Sequence, residues 1–459
     1  MAAQETSPAE PLLPGKDEQW SPQDDDKEAQ LLPARISGTS FWRSCLNLSN
    51  VISGTPQCPI DVYSSCVCFR HLRLYNALIF LLLGIGMLSV SYALSQGGWL
   101  SLALFALVGA ICYYTGKLID RCMRADESVS SYPDIGQLAF GPHGRRAIGV
   151  IMYIELYLVA VSFLILEGDN LDKLFPGATF DVGGCRVQGK QLFVLVAAAV
   201  ILPTTWLKDL SVLAYVSAVG LVASAALTAS LAWAAIAAEH GFHATKASTV
   251  LNVRGLPTSL SLYFVCFSGH GVFPTVYSSM KKKKDFPKVL LISSVLCSLN
   301  YALTAILGYL LYGDDVQSQV TLNLPTGKMY TKVAILTTLI NPLAKYALVI
   351  QPIAEAIEAK LPVAERGLTR VLISTAVLAS TVVVASTVPF FGYLMSFTGS
   401  SLNVIVAVLF PCLSYLKIYM PRSGVHRFEV VAIIGILVIG VCVAVVGTYT
   451  SVHQIIGTF

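Results

Sequence analysis

The chain has 459 residues, of which 55% are hydrophobic and 13% charged, and its mean hydropathy is +0.67. A soluble domain carries about 25% charged residues, so this composition excludes one and indicates a protein that crosses a membrane many times. The net charge of +4 is too small to mark a nucleic-acid binder. The cysteines show no paired metal spacing; Cys66-Val67-Cys68 is only C-x-C, and most others sit in apolar runs as small hydrophobes.

Residues 1–39 are acidic and polar, with Asp24-Asp25-Asp26, several prolines and no apolar core of a secretory signal. They read as a disordered cytosolic tail. Leu12-Leu13 and Leu31-Leu32 resemble acidic dileucine sorting signals, but without the acidic residue at the usual spacing. Residues 40–459 read as one membrane domain. A span needs about 20 apolar residues. Runs of that kind fall at Leu74–Leu94, Trp99–Arg121, Ala147–Leu174, Leu192–Trp206, Leu210–Ala238, Leu256–Met280, Val289–Tyr312, Met329–Glu358, Val371–Val388, Phe391–Tyr415 and Phe428–Tyr449. The expected fold is therefore an all-α polytopic membrane protein with about eleven transmembrane helices.

Loop charge sets the orientation. With the N-terminus cytosolic, Arg121, Arg124, Arg145, Arg146, the tetralysine Lys281–Lys284, Arg366 and Arg370 fall on the cytosolic side with other basic residues. The opposite side holds fewer, among them Lys173, Arg186, Lys190 and Lys246. This is the asymmetry of the positive-inside rule. The tetralysine serves as a topology anchor that anionic lipid also attracts.

The sixth run, LPTSLSLYFVCFSGHGVFPTVYSSM, is long enough to span, but Ser268-Gly269-His270-Gly271 and Pro274 interrupt it. Irregular backbone at bilayer depth is tolerated only where it is buried in protein or lines a cavity. Secondary transporters build midplane substrate sites from such broken helices. If spans one to five and six to ten are inverted repeats, span one should break as well. It contains Gly84-Ile85-Gly86-Met87-Leu88-Ser89.

Several segments carry a family resemblance: GMLSVSYALSQGGW (86–99), YPDIGQLAFG (132–141), ILEGDNL (165–171), FSGHGVFP (267–274) and NPLAKYAL (341–348). The chain resembles the amino acid/auxin permease family, and within it the plant vacuolar amino acid transporters related to the vesicular inhibitory amino acid transporter. The resemblance implies the LeuT/APC-type 5+5 inverted-repeat fold with helices one and six broken. It also implies proton-coupled movement of neutral amino acids across the vacuolar membrane. One departure stands out. The family runs through its first helix as N-x-x-x-G-x-G-x-L-S-x-P-Y-A-L, whereas here the first half ends at Gly54 and the second resumes at Ile85. Residues 55–84 therefore read as an atypical insertion, either a gene-model or splicing artefact or a genuine variant. Ser91 stands where the family pattern has proline.

For substrate, half-helix ends offer N–H groups to a carboxylate, which nominates Gly86, Met87 and Leu88. Unwound carbonyls offer acceptors to an ammonium, which nominates Phe267, Ser268, Gly269 and Gly271; packing glycines are the competing reading. Tyr157 closes the pocket or simply packs. Ionisable groups inside spans usually face the bundle interior, which nominates Lys345, His270 and Glu155 for proton coupling, together with Asn341 beside Lys345. In related transporters a sodium ion sits between spans one and eight, where the Lys345 ammonium can stand instead and couple transport to protons; a structural ion pair is the alternative. His270 is a relay or a structural histidine, and Glu155 reads as structural. No cofactor is expected beyond the proton gradient. The expected partners are neutral amino acids, protons and the lipid bilayer, with no nucleic acid, and the protein is expected to be monomeric. The competing function is an amino acid sensor of the same fold, or a copy inactivated by the insertion. A channel lacks its charged ring or repeated filter here. An enzyme lacks a nucleophile–base pair, a metal cluster and a Walker A sequence.

Overall fold

The computed structural model describes residues 86–182, 185–206, 211–237, 249–280, 282–358, 366–388, 390–422 and 426–458. The tail with its dileucines, the 55–84 insertion, Gly84 and the first part of span one lie outside them. Helices α1 (Gly86–Gly97), α2 (Ser101–Ala125) and α3 (Tyr132–Leu174) come first. An antiparallel hairpin of β1 (Thr179–Val182) and β2 (Cys185–Gln188) follows, a small addition to an otherwise helical chain that the all-α reading did not include. Then come α4 (Lys190–Thr205), α5 (Ser211–Ala237), α6 (Leu256–Cys266) and α7 (Phe273–Ser279). Helices α8 (Phe286–Tyr312), α9 (Met329–Glu358), α10 (Arg366–Thr387), α11 (Phe391–Tyr419) and α12 (Arg427–Ile456) complete the chain.

Among the described residues, seven helices are long and apolar enough to cross a membrane, and α4 is a shorter apolar one. Apolar side chains cover much of the outside: on α12, Phe428, Val438 and Tyr449 are exposed, and a helix that is apolar on all sides suits hydrocarbon. Helix α11 widens mid-course into π-type turns at Gly399–Asn403 and Ile405–Leu409.

The YPDIGQLAFG segment folds for local reasons. Ser131 and Asp134 form a reciprocal capping box, and Pro133 sits in the first turn, where its missing N–H is harmless. Gly141 takes φ +71°, which breaks the helix before Pro142 restarts it. The short piece folds back on the long one so closely that a Cβ at Gly136 would sit 2.9 Å from the Gly144 carbonyl oxygen. Asp134→Ala removes the cap and should destabilise the protein by about 1 kcal/mol. The check is a lower melting temperature of the purified protein in detergent.

Two ends of the bundle differ in character. The end carrying Gly97, Leu174 and residues 313–327 is the loop face; the end carrying Arg121, Arg145 and Arg427 is the basic face. On the loop face, residues 313–327 bury Gln319, Val320 and Leu324 in the bundle. The Asn170 amide donates to Gln319 Oε1 at 2.7 Å, and Gln319 Nε2 donates to Asp169 Oδ2 at 2.7 Å. Lys190 pairs with Asp169 at 2.9 Å. Lys173 Nζ donates to the carbonyls of Thr321, Leu322 and Leu324 at 2.6–2.9 Å. On the basic face, Arg121 pairs with Glu429 and donates to the Tyr415 hydroxyl at 2.8 Å, joining α2, α11 and α12. Tyr132 donates to the Val406 carbonyl in the π segment.

Candidate functional site

Helix α6 stops at Cys266 and does not resume until α7, with a 3-10 turn at His270–Val272 between them. Pro274 supplies the reason: it lacks an N–H, and its ring would clash with the carbonyl of His270 in a continuous helix. Helices α1 and α6 have 12 and 11 residues, so each covers about half of a bilayer at 1.5 Å per residue. They run antiparallel. Their loop-face ends are stitched by backbone hydrogen bonds from Trp99 to Thr249 (3.2 Å), Leu100 to Val250 (2.9 Å) and Asn252 to Gly97 (3.1 Å). Their other ends meet, and a Cβ on Gly86 would sit 2.8 Å from Cys266 Cα. Behind α6, Gly399 of α11 lies so close that a Cβ there would sit 2.0 Å from the Ser261 carbonyl oxygen.

Beside this junction lies a cavity of about 30 Å³. It is lined by Met87 and Leu88 of α1, Phe163 and Leu166 of α3, Ala223, Ser224 and Leu227 of α5, and Thr338, Asn341, Pro342 and Lys345 of α9. That volume admits water rather than an amino acid. The α9 residues recur at helical spacing and share one face.

A polar seam supports the α1 side of the cavity. Asn300 Nδ2 donates to the Met87 sulfur at 3.6 Å, Thr228 Oγ1 donates to Asn300 Oδ1 at 3.2 Å, and the Thr228 and Thr304 hydroxyls lie 2.9 Å apart. Ser91, in the family's proline position, donates to the Thr304 carbonyl at 2.9 Å. A Cβ on Gly308 would sit 2.3 Å from Ser91 Oγ, so small residues let these helices touch. Sequence reasoning passed over Thr228, Asn300 and Thr304, although small polar residues inside apolar runs were a visible signal.

The structure thus gathers Met87, Leu88, Asn341 and Lys345 around one cavity, with Gly86 at the junction. The remaining candidates fall elsewhere. Phe267 packs on Phe105 and Tyr301, with ring centroids 5.1 and 6.4 Å away. Ser268 Oγ donates to the Val265 carbonyl at 2.9 Å. Gly269 is extended, and a Cβ on Gly271 would meet Met152 at 2.8 Å. His270 is buried, with Nε2 3.0 Å from both the Cys112 carbonyl and Thr115 Oγ1 on α2. Because a carbonyl only accepts, that contact puts the neutral ring's proton on Nε2. Tyr157 donates to Ser380 Oγ of α10 at 3.2 Å. Neither Tyr157 nor Glu155 lines the cavity. Glu167, one residue beyond Leu166, is buried and was missed in the sequence.

A sequence model described as transmembrane amino acid transporter protein matches residues 74–453. Amino acid transporter AVT1I of Arabidopsis thaliana is 43% identical over 438 residues, covering 95% of this chain and 100% of that protein. AVT1J of the same plant is 46% identical over 381 residues, covering 82% and 89%. The crystal structure of MhsT in complex with L-phenylalanine superposes with a TM-score of 0.51 at 10% identity, over 81% of this chain and 98% of that one. At that identity the likeness speaks for the fold alone.

Proposed function

The chain belongs to the transmembrane amino acid transporter family, and from that premise we propose that it is a proton-coupled secondary transporter of neutral amino acids. It is an integral membrane protein and not an enzyme. In this reading it works by alternating access in the vacuolar membrane, as a monomer, with eleven spans in two inverted repeats of five. Helix α1 is the loop-face half of a broken first span, and α6 with α7 is the sixth. Residues 55–84 are an added segment ahead of α1. The basic face and the N-terminus lie in the cytosol, in keeping with the positive-inside rule.

The observation that carries the reading is the meeting of two half-length helices at Gly86 and Cys266 beside a cavity that Lys345 lines. Half-helix ends and freed carbonyls there suit the carboxylate and ammonium of an amino acid. Phe163, Leu166 and Leu227 give the cavity an apolar wall, which suits an uncharged side chain. The Lys345 ammonium is a titratable cation against α1, His270 and Asn341 are further candidates for the proton path, and Glu155 lies apart on α3.

The test is uptake of a labelled neutral amino acid, such as leucine, into proteoliposomes holding the purified full-length protein. A gradient of about one pH unit is worth about 1.4 kcal/mol and sustains about tenfold accumulation for one proton per substrate. Absence of accumulation under either direction of gradient sinks the reading.

A further inference from the structure

Helix α3 carries a buried acid whose position and surroundings set it apart. Glu167 is 1% exposed. Its Oε1 has no partner, and among the described residues no hydrogen bond or ion pair reaches the carboxyl. Two residues on, Asp169 is held by Lys190 and Gln319, so the same stretch of helix satisfies one acid and leaves the other bare. Phe163 and Leu166 both line the cavity, and Glu167 lies one helical turn beyond the first and next to the second. The Cα–Cβ bonds of a helix tilt toward its N-terminus. For α3 that direction leads from Glu167 back toward Phe163, so Glu167 lies beside the cavity on its loop-face side without itself lining it.

An ionised carboxylate without a partner is expensive to bury, whereas a protonated carboxyl is tolerated. We propose that Glu167 carries the coupled proton, an assignment that rests on the proton-coupled reading above and names the residue responsible. With residues 313–327 seated, the carboxyl holds its proton. When that loop lifts, water enters from the loop face and the carboxyl exchanges its proton with that compartment. When the site opens instead toward the basic face, it exchanges its proton with the opposite compartment, so a proton taken up on one side leaves on the other and one crosses per cycle. The charged groups around it fit this role. On its own helix Asp169 is neutralised by Lys190 of α4, and Lys173 is bound to loop carbonyls. From α9, Lys345 lines the same cavity and Lys332 lies at the loop face. Arg370 of α10 and Lys417 of α11 sit toward the basic face.

The test compares wild type, Glu167→Gln and Glu167→Asp in proteoliposomes, with two readouts: accumulation driven by a pH gradient, and exchange of labelled for unlabelled substrate without one. Glu167→Gln should lose accumulation at least about tenfold while exchange falls less than about threefold, because exchange needs no net proton movement. Glu167→Asp should keep accumulation with a displaced pH profile. Wild-type accumulation by Glu167→Gln, or equal loss of both readouts in a monodisperse protein, overturns the assignment. Should Glu167→Gln not purify, an unchanged pH profile in Glu167→Asp overturns it and a displaced profile upholds it. Wild type that exchanges but never accumulates defeats the proton-coupled reading itself, and this assignment with it.

Discussion

Lys345→Ala is expected to lower gradient-driven uptake about 100-fold. The side chain lines the cavity opposite Met87 and Leu88 of α1, mid-way along an apolar helix. A charge at such depth costs about 3 kcal/mol, and a group retained at that expense should return a comparable amount, about 100-fold, in what it binds or couples. Lys332→Ala is the control: it lies on the same helix, exposed at the loop face, and should change uptake less than about twofold. Lys345→Arg separates two roles. Arginine stays protonated, so it retains activity if only a positive charge is needed and loses it if the lysine must release a proton. Initial uptake rates, normalised to reconstituted protein, decide the matter. Half-normal uptake by Lys345→Ala would remove the residue from the site.

The second large effect is structural. Gly399→Ala should destabilise the protein by about 2 kcal/mol or more, because inserting a methyl into a close contact forces backbone shifts. A Cβ there would sit 2.0 Å from a backbone carbonyl of α6 and 2.8 Å from Val265 Cγ2. The backbone atom cannot rotate aside, so α6 must move away from α11, and the junction with Gly86 moves with it. Gly435→Ala is the contrast: nothing lies within 4 Å of its added methyl, and alanine is the better helix former by about 1 kcal/mol. Melting curves of the two purified variants should shift in opposite directions. A Gly399→Ala protein as stable as wild type would show that the approach of α11 to α6 is looser than described.

Much of this architecture was legible because apolar runs announce themselves. The runs ending at Tyr312 and Glu358 became α8 and α9 with the same C-terminal residues. The interruption at Ser268–Gly271 was legible because glycines and Pro274 remove helix propensity in one place. Other features were not. The π turns of α11 have no composition of their own; the first begins at Gly399, which packs against Ser261. The hairpin at Thr179–Gln188 is too short and polar to stand out. The loop-face plug depends on Gln319 finding Asn170 and Asp169 across about 150 positions of chain, a pairing that no local pattern encodes. The site was partly legible. Asn341 and Lys345, four apart on a helix, had to share a face, whereas Tyr157, read as closing the pocket or simply packing, meets α10. Glu167 was passed over inside the ILEGDNL segment, because nothing local in the sequence says that Asp169 finds Lys190 and Gln319 while Glu167 does not.

The stitching of α1 to α6 has a mechanical consequence. Three backbone hydrogen bonds pin the loop-face ends together, while the ends at Gly86 and Cys266 touch through a glycine contact and one weak sulfur bond. The pair is a two-armed lever with a shared fulcrum at residues 97–100 and 249–252. An arm of 12 residues is about 18 Å long, so a swing of about 10° carries its tip about 3 Å. That displacement is roughly the width of a water molecule, delivered at the cavity wall while the fulcrum stays still.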